Sequence, residues 1–317
     1  MFENKNMKKV VIWLTSIAII CFGIGFLIFN ITGGNKKVSI NINTGNLLNS
    51  KDSKQYKLDD KKSGSINGIS EVSIESTCAD INIIPQKRSD VKVHMYGSID
   101  GTYEPKLYLN ISDGILEIST DKERTGSFSI FSSNLKLDIF IPENYNKSLK
   151  AATSSGSISL KNKISLKDVS IISTSGSLNL KDLTCENLEG KSTSGAVSGN
   201  SIIVNSADIN NTSGTINLSE FKGDLNGETI SGKITVDYSD FNNNVELKSI
   251  SGNIELDLPG TSQFKIKSKS ISGKIGCKFP VAIESSDKGK ELIGTMGSDR
   301  NKVILNTTSG NSFVDIK

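Results

Sequence analysis

The chain has a single histidine, His94, set in the alternating run Val91, Lys92, Val93, His94, Met95. A serine or cysteine nucleophile needs a base beside it, so any triad in this chain would have to rest on that one imidazole. A strand residue is the expected role for His94. Serine is abundant immediately before glycine, at Ser155, Ser175, Ser194, Ser213, Ser231, Ser251, Ser272 and Ser309, but these positions read as turns rather than as activated nucleophiles. No phosphate-binding loop, dinucleotide fingerprint or HExxH pair is present, so no cofactor and no metal site is implied. Cys78, Cys185 and Cys277 have no metal-ligand spacing and read as small buried hydrophobes, with a disulfide between two of them as the alternative.

Carboxylates are the remaining chemistry, since extended β proteins can carry polysaccharide hydrolases or lyases whose acids converge on one face. The candidates are Asp168, Asp182, Asp224, Asp237 and Asp240. Whether they converge depends on the elements that carry them. Those elements are copies of one phrase, a β-branched or hydroxyl residue, serine and glycine ahead of two alternating apolar positions. It recurs at Gly156, Gly176, Gly195, Gly214, Gly232, Gly252, Gly273 and Gly310, with steps of 20, 19, 19, 18, 20, 21 and 37 residues. The last step reads as two periods with one degenerate copy. A period near 20 residues means stacked units, because no single unit can bury its own apolar face.

Two residues after each glycine stand Ile158, Leu178, Val197, Ile216, Ile234, Ile254 and Ile275, with Ser312 breaking the set. Four after stand Leu160, Leu180, Gly199, Leu218, Val236, Leu256, Cys277 and Val314, and seven before stand Leu149, Val169, Leu188, Ala207, Leu225, Val245, Ile266 and Val303. Alternation at period two is the signature of strand. The pattern predicts an all-β fold, a β-solenoid of ~19-residue coils in which like residues stack at ~4.8 Å. Glycine at each turn is expected to serve a positive φ. Counted from the preceding glycine, the five aspartates fall at offsets 12, 6, 10, 5 and 8. They share no column, so solvated turn positions are their expected role and the chain is not expected to be an enzyme.

Val10 to Phe29 are 20 consecutive uncharged, mostly apolar residues, long enough as a helix to cross a hydrocarbon core. Residues 10–31 are therefore expected as a transmembrane helix that contacts the lipid bilayer from Val10 to Ile31. A cleavable signal peptide is the rival, but Phe29, Asn30, Ile31 and Thr32 offer no small-residue cleavage site. Cys21 follows Ile20 and is continued by apolar residues, which fits a helix position better than a lipoprotein cysteine. Lys5, Lys8 and Lys9 place residues 1–9 in the cytoplasm and the remainder outside. Residues 32–64 read as a flexible tether, 65–150 as a capping β region and 151–317 as the regular repeat, with a loop or hairpin from Ser285 to Arg300. Beyond the first 35 residues, with their three lysines and Glu3, 34 basic residues face 33 acidic ones. A near-neutral surface without a basic stripe argues against nucleic acid as a partner.

Taken together, the run from Ile74 to Pro85, the strand ending Leu137 to Pro142, the serial Ser-Gly phrases and the closing Gly294 to Gly310 resemble a bacterial family of β-strand-repeat domains of unknown function. That family is known as “putative adhesin”, LiaG-like or toastrack, and the resemblance covers about residues 65–317. It implies one β-solenoid-like domain, tied to the membrane, in the setting of Gram-positive envelope stress, and no catalytic residues. The expected partner is a cell-envelope component or a membrane protein. The competing readings are a polysaccharide-acting enzyme and a self-assembling solenoid.

Overall fold

A computed structural model describes residues 54–120, 130–287 and 289–317. The chain divides into Met1–Lys51 and Asp52–Lys317, and the described residues all belong to the second unit. The helix expected at 10–31 lies outside them; among the described residues no helix is long and apolar enough to cross a membrane.

The described residues form strands and turns in two long ladders. The pre-turn ladder holds the segment that precedes each Ser-Gly turn. Ser148–Thr153 pairs in parallel with Asp168–Ser173, and this pairs with the second half of Leu178–Ser192, through Leu149↔Val169↔Leu188. The post-turn ladder holds the segment that follows, with Ile158↔Leu178↔Val197↔Ile216↔Ile234↔Ile254 in one register. Those six residues are 0% exposed, and the Leu149 column is 0–3% exposed throughout. Burial of a side chain this size is worth ~1.5–3 kcal/mol, so each rung adds several such increments. A short third ladder at the corner links Leu183, Ile202 and Phe221. It is continued by buried aromatic rings, Phe221, Tyr238, Phe241, Phe264 and Phe279, packed edge to face with centroids 5.1–6.2 Å apart.

Chain order and stack order part company at both ends. Val245–Ser249 pairs with Lys302–Thr307, which in turn pairs with Phe264–Ser270. The final coil thus lies between the Gly252 and Gly273 coils. The 37-residue step contains no degenerate coil: it holds the hairpin Ala282–Asp287 and Glu291–Met296, antiparallel to Phe264–Ser270. At the other end Glu71–Ser76 lies between Ile115–Ser119 and Ser148–Thr153. Likewise Asp80–Gln86 lies between Ile130–Pro142 and Ile158–Leu160.

Three further placements differ from expectation. Lys54–Ser65, placed in the tether, is a 12-residue strand antiparallel to Asp90–Gly101, where Leu58 packs against the core and Asp59 binds His94. Glu71–Gln86, placed in an irregular cap, is a regular rung. Ile275, placed in the core, is only half-buried, because its strand Ile275–Cys277 is the last of the post-turn ladder and has a neighbour on one side alone. Ser312, which breaks the aliphatic column, is 0% exposed and bonds Ser268 at 3.0 Å, so the polar side chain is buried with a partner.

Candidate functional face

The repeated turn is built from four residues, a hydroxyl or amide side chain three positions before each glycine included. This column reads Thr153, Ser173, Ser192, Asn211, Thr229, Ser249, Ser270 and Thr307, and every member is buried. Each accepts the N–H of its own glycine and donates to the carbonyl at the matching turn position of the adjacent coil, which is a glycine carbonyl for all but Thr153, whose acceptor is Ala79. Gly176 N donates to Ser173 Oγ at 2.8 Å, and Ser173 Oγ donates to the Gly156 carbonyl at 3.1 Å. Asn211 does the same with its amide, at 2.9 Å and 2.7 Å. Buried backbone groups left unpaired would cost ~1–3 kcal/mol each, and this column pairs two per turn.

The glycines stack so closely that side chains cannot enter. A Cβ on Gly176, Gly214, Gly232 or Gly252 would lie 1.7–2.1 Å from the carbonyl oxygen of the neighbouring glycine, and Gly156, Gly195, Gly273 and Gly310 are equally tight. None of the eight has a positive φ, contrary to the sequence expectation. Close approach of one turn to the next is the reason for glycine, not a left-handed backbone. At the N-terminal rung Ala79 takes the glycine's place, its N–H donating to Ser76 Oγ at 3.1 Å. The Ser76-to-Ala79 stretch is the same turn with its glycine replaced, and the hydroxyl three positions earlier was the signal that could have found it.

Outward-facing residues of the post-turn ladder line a groove of about 790 Å³. Its floor is a column of small polar side chains, Ser159, Asn179, Ser198, Asn217 and Thr235, in register across five coils. Along one side the adjacent column runs Lys161, Lys181, Asn200, Ser219 and Asp237. That side is shaped by Asp182, Ser201 and Glu220, non-glycine residues with φ of 53°, 56° and 52° at the same place in three successive coils. Left-handed backbone at such residues costs ~1–3 kcal/mol each. Ser201 Oγ donates to Glu220 and Asn200 Nδ2 donates to Ser219 Oγ at 2.8 Å, which ties each corner to the next.

The five candidate aspartates do not assemble. Asp168 accepts from Asn187 at 2.7 Å and Ser148 at 3.1 Å, and these bonds, Asn187's first, hold its carboxyl below the usual range. Asp182 sits at the groove corner and Asp224 accepts the Asn244 N–H at 2.9 Å. Asp240 is bonded by Lys222 at 2.9 Å, which lowers its carboxyl, while Asp237 pairs with Lys317 at 2.7 Å. What the sequence reading missed is that Asp257 and Asp315 share Asp237's offset of five from the glycine. The three stand in register on adjacent strands. Burial first, then the charges of Asp315, Asp237 and Glu255, push the Asp257 carboxyl up.

His94 Nε2 lies 2.6 Å from Asp59 Oδ1, with no serine or cysteine in that pair. Cys185 is buried and Cys78 and Cys277 are half-buried, and burial pushes the Cys185 thiol up to about 12. Among the described residues no group of three or more His, Cys, Asp or Glu is placed to hold a metal ion.

Several solved structures align with this chain at low identity. One from Bacteroides fragilis, described as a “putative adhesin”, is 14% identical with a TM-score of 0.47, covering 82% of this chain and 98% of that one. A Clostridium sporogenes “putative cell adhesion protein” is 15% identical with a TM-score of 0.29, covering 83% and 100%. A Parabacteroides distasonis “putative lipid binding protein” is 14% identical with a TM-score of 0.42, covering 84% and 97%. No curated protein matches the chain. The stacked rungs, their glycine turns and the paired hydroxyl column fall within residues 69–315, which match the family Toastrack DUF4097, and the chain belongs to that toastrack family.

Proposed function

We propose that this chain is a membrane-anchored, extracytoplasmic β-solenoid scaffold of adhesin type that binds an envelope component or a membrane-protein partner in the cell-envelope stress response. The observation that carries the reading is the groove on the post-turn ladder. Its Ser, Asn and Thr floor repeats at the ~4.8 Å strand spacing and offers donors and acceptors along a line rather than around a reacting atom. A rigid backbone under such a floor suits recognition, because little side-chain freedom is lost when a partner settles on it. The anchor rests on the apolar run from Val10 to Ile31.

The test uses the full chain in cells. A photoreactive amino acid replacing Asn200 or Asn217 in the groove should capture an envelope component or a membrane protein, and the same probe replacing Lys248 on the pre-turn ladder should not. Equal capture at both faces, or none at either, counts against the groove. Deleting residues 10–31 should release the protein from the membrane fraction; retention without them would remove the anchor.

A second reading, a polysaccharide-acting enzyme, is favoured by the Asp237, Asp257 and Asp315 column, where three carboxyls stand in register on adjacent strands and burial, with the neighbouring charges, raises that of Asp257. It requires turnover of envelope glycans that is lost in Asp257→Asn. Binding without turnover leaves the scaffold.

A further inference from the structure

The two ladders end unevenly at the C-terminal end of the stack. Beyond the outermost coil the pre-turn ladder continues for two more strands, Glu291–Met296 and then Ala282–Asp287, whereas the post-turn ladder stops at Ile275–Cys277. Two strand widths, ~10 Å, are filled on one side and open on the other.

The open side is apolar and its hydrogen bonding is incomplete. Along the post-turn ladder each coil's column residue donates its N–H to the next coil: Ile216 to Lys233, Ile234 to Asn253, Ile254 to Asn311 and Ser312 to Lys274, all at 2.8–2.9 Å. Ile275 is next in that series, and no described strand lies beyond it. Ile283, in register with Gly294 and through it with Ile266 of the core column, is 63% exposed, with no described strand over it; Ile271 at the adjoining turn is 61% exposed. A free strand edge with uncovered isoleucines is a template for another strand.

We propose that this end binds a second copy of the chain, tail to tail, about a two-fold axis. The two-strand overhang of each copy fills the two-strand gap of the other, so that Ala282–Asp287 of one protomer extends the ladder that ends at Ile275–Cys277 of its partner. Shape alone selects a two-fold arrangement, because overhang and gap belong to the same surface and are equal in depth. Charge selects it too. In an antiparallel register that sets Ile283 opposite Ile275, both on the core side, Glu284 of one protomer falls opposite Lys274 of its partner on the outer side. Opposite charges facing across a strand pair are favourable and like charges are not. Lys274 is exposed, and Glu284 already accepts from Lys265 at 2.7 Å on that outer face. The association stops at two copies, since the far end of the stack is closed by its own strands.

The experiment is sedimentation equilibrium of the full chain in detergent micelles. The wild type should be a dimer. Lys274→Glu should weaken dimerisation at least tenfold, as should Glu284→Lys, and the double variant carrying both reversals should recover most of that loss. Recovery in the double variant separates a broken interface from a broken fold. Ile283→Asp, at a site exposed in the single chain, should give a monomer that stays folded and unfolds cooperatively at a temperature independent of protein concentration. A monomeric wild type overturns the proposal, and so does a dimer that Ile283→Asp leaves intact.

Discussion

At the N-terminal end of the stack the chain lays down Glu71–Gln86, goes outward to build Ile115–Ser119 and Ile130–Pro142, and returns to continue inward. At the C-terminal end it builds the Gly252 coil, goes outward to Phe264–Cys277, and returns to place Lys302–Ile316 in between. The threading is the same, and the closure is not. Toward the N-terminus Leu109 of Tyr108–Ser112 approaches Gly64 of Lys54–Ser65, and Lys62 lies over the Tyr108 ring at 5.7 Å, so the ladders converge over the core. The outer strand there carries Lys57, Asp59, Asp60, Lys61 and Lys62, the kind of charged edge that repels further strands. Toward the C-terminus the ladders stop two strands out of step and leave isoleucines uncovered. Interleaving secures an end against fraying, because the outermost coil is held by a segment that enters beneath it; whether an end also accepts a partner depends on its last strands.

The largest test of interleaving is removal of residues 301–317. In a stack laid down in order this would trim an edge. Here it removes an inner rung, including Val303, Leu305 and Val314, all 0% exposed, and separates Val245–Ser249 from Phe264–Ser270. Three buried side chains at ~1.5–3 kcal/mol each put the loss at roughly 5 kcal/mol or more, read as a large fall in the urea midpoint. Replacing 54–65 with a glycine-serine segment of equal length should cost much less, since that strand has a neighbour on one side only. Equal losses would mean that threading order does not matter.

Next in size are charges placed in matching column positions. Ile81 at the N-terminal rung and Ile234 in the middle are both 0% exposed, and aspartate there would bury a charge without a partner, costing roughly 3–5 kcal/mol. Ile275→Asp should cost about 1–2 kcal/mol in the monomer, because water already reaches that position. Thermal unfolding of the three variants reads the difference directly, and an Ile275 variant as damaged as the other two would show that the C-terminal end is covered.

The turn position compares the ends at the scale of one methyl group. Gly273→Ala would set a Cβ 1.8 Å from the Gly310 carbonyl oxygen and should cost roughly 2–3 kcal/mol as the turns are forced apart. Ala79→Gly removes a methyl that the N-terminal rung already accommodates and should cost only ~0.5–1 kcal/mol, mainly through chain entropy. Urea midpoints that fall equally would mean that the turns do not stack as tightly at the C-terminal end.

Much of this was legible in the residues. The period and the columns follow from counting along the chain, and the inward residues from Ile158 to Ile254 stand where alternation puts them. Neighbour order was not legible, because periodicity says that Val303 and Ile266 occupy equivalent positions but not which of them lies against Val245. The role of glycine was misassigned for a related reason: a turn in isolation suggests a positive φ, and the carbonyl of the next coil, which excludes the Cβ, belongs to a residue about 20 positions away. The acidic column is written in the sequence only as a shared offset, five residues after Gly232, Gly252 and Gly310, and it takes the strand register to set Asp237, Asp257 and Asp315 side by side.

The smallest effect is a difference in how the two regions answer acid. Asp59, at the N-terminal edge, has its carboxyl lowered by the hydrogen bond from His94 and by Lys61. A depressed carboxyl contributes stability at neutral pH that is lost as pH falls through its folded pKa. Asp257 is raised, so its ionised form opposes folding: relative stability is present at low pH and lost as pH rises through its folded pKa. Asp257→Asn should therefore stabilise at pH 7, by less than ~1 kcal/mol for a half-buried group that solvent still screens, and the gain should vanish below the carboxylate range. Asp59→Asn should destabilise at pH 7 and converge with the wild type in acid. Thermal midpoints of both variants from pH 7 to pH 3 test the pair, and a gain for Asp257→Asn that persists in acid would show that burial of a polar group, rather than repulsion along the column, sets its effect.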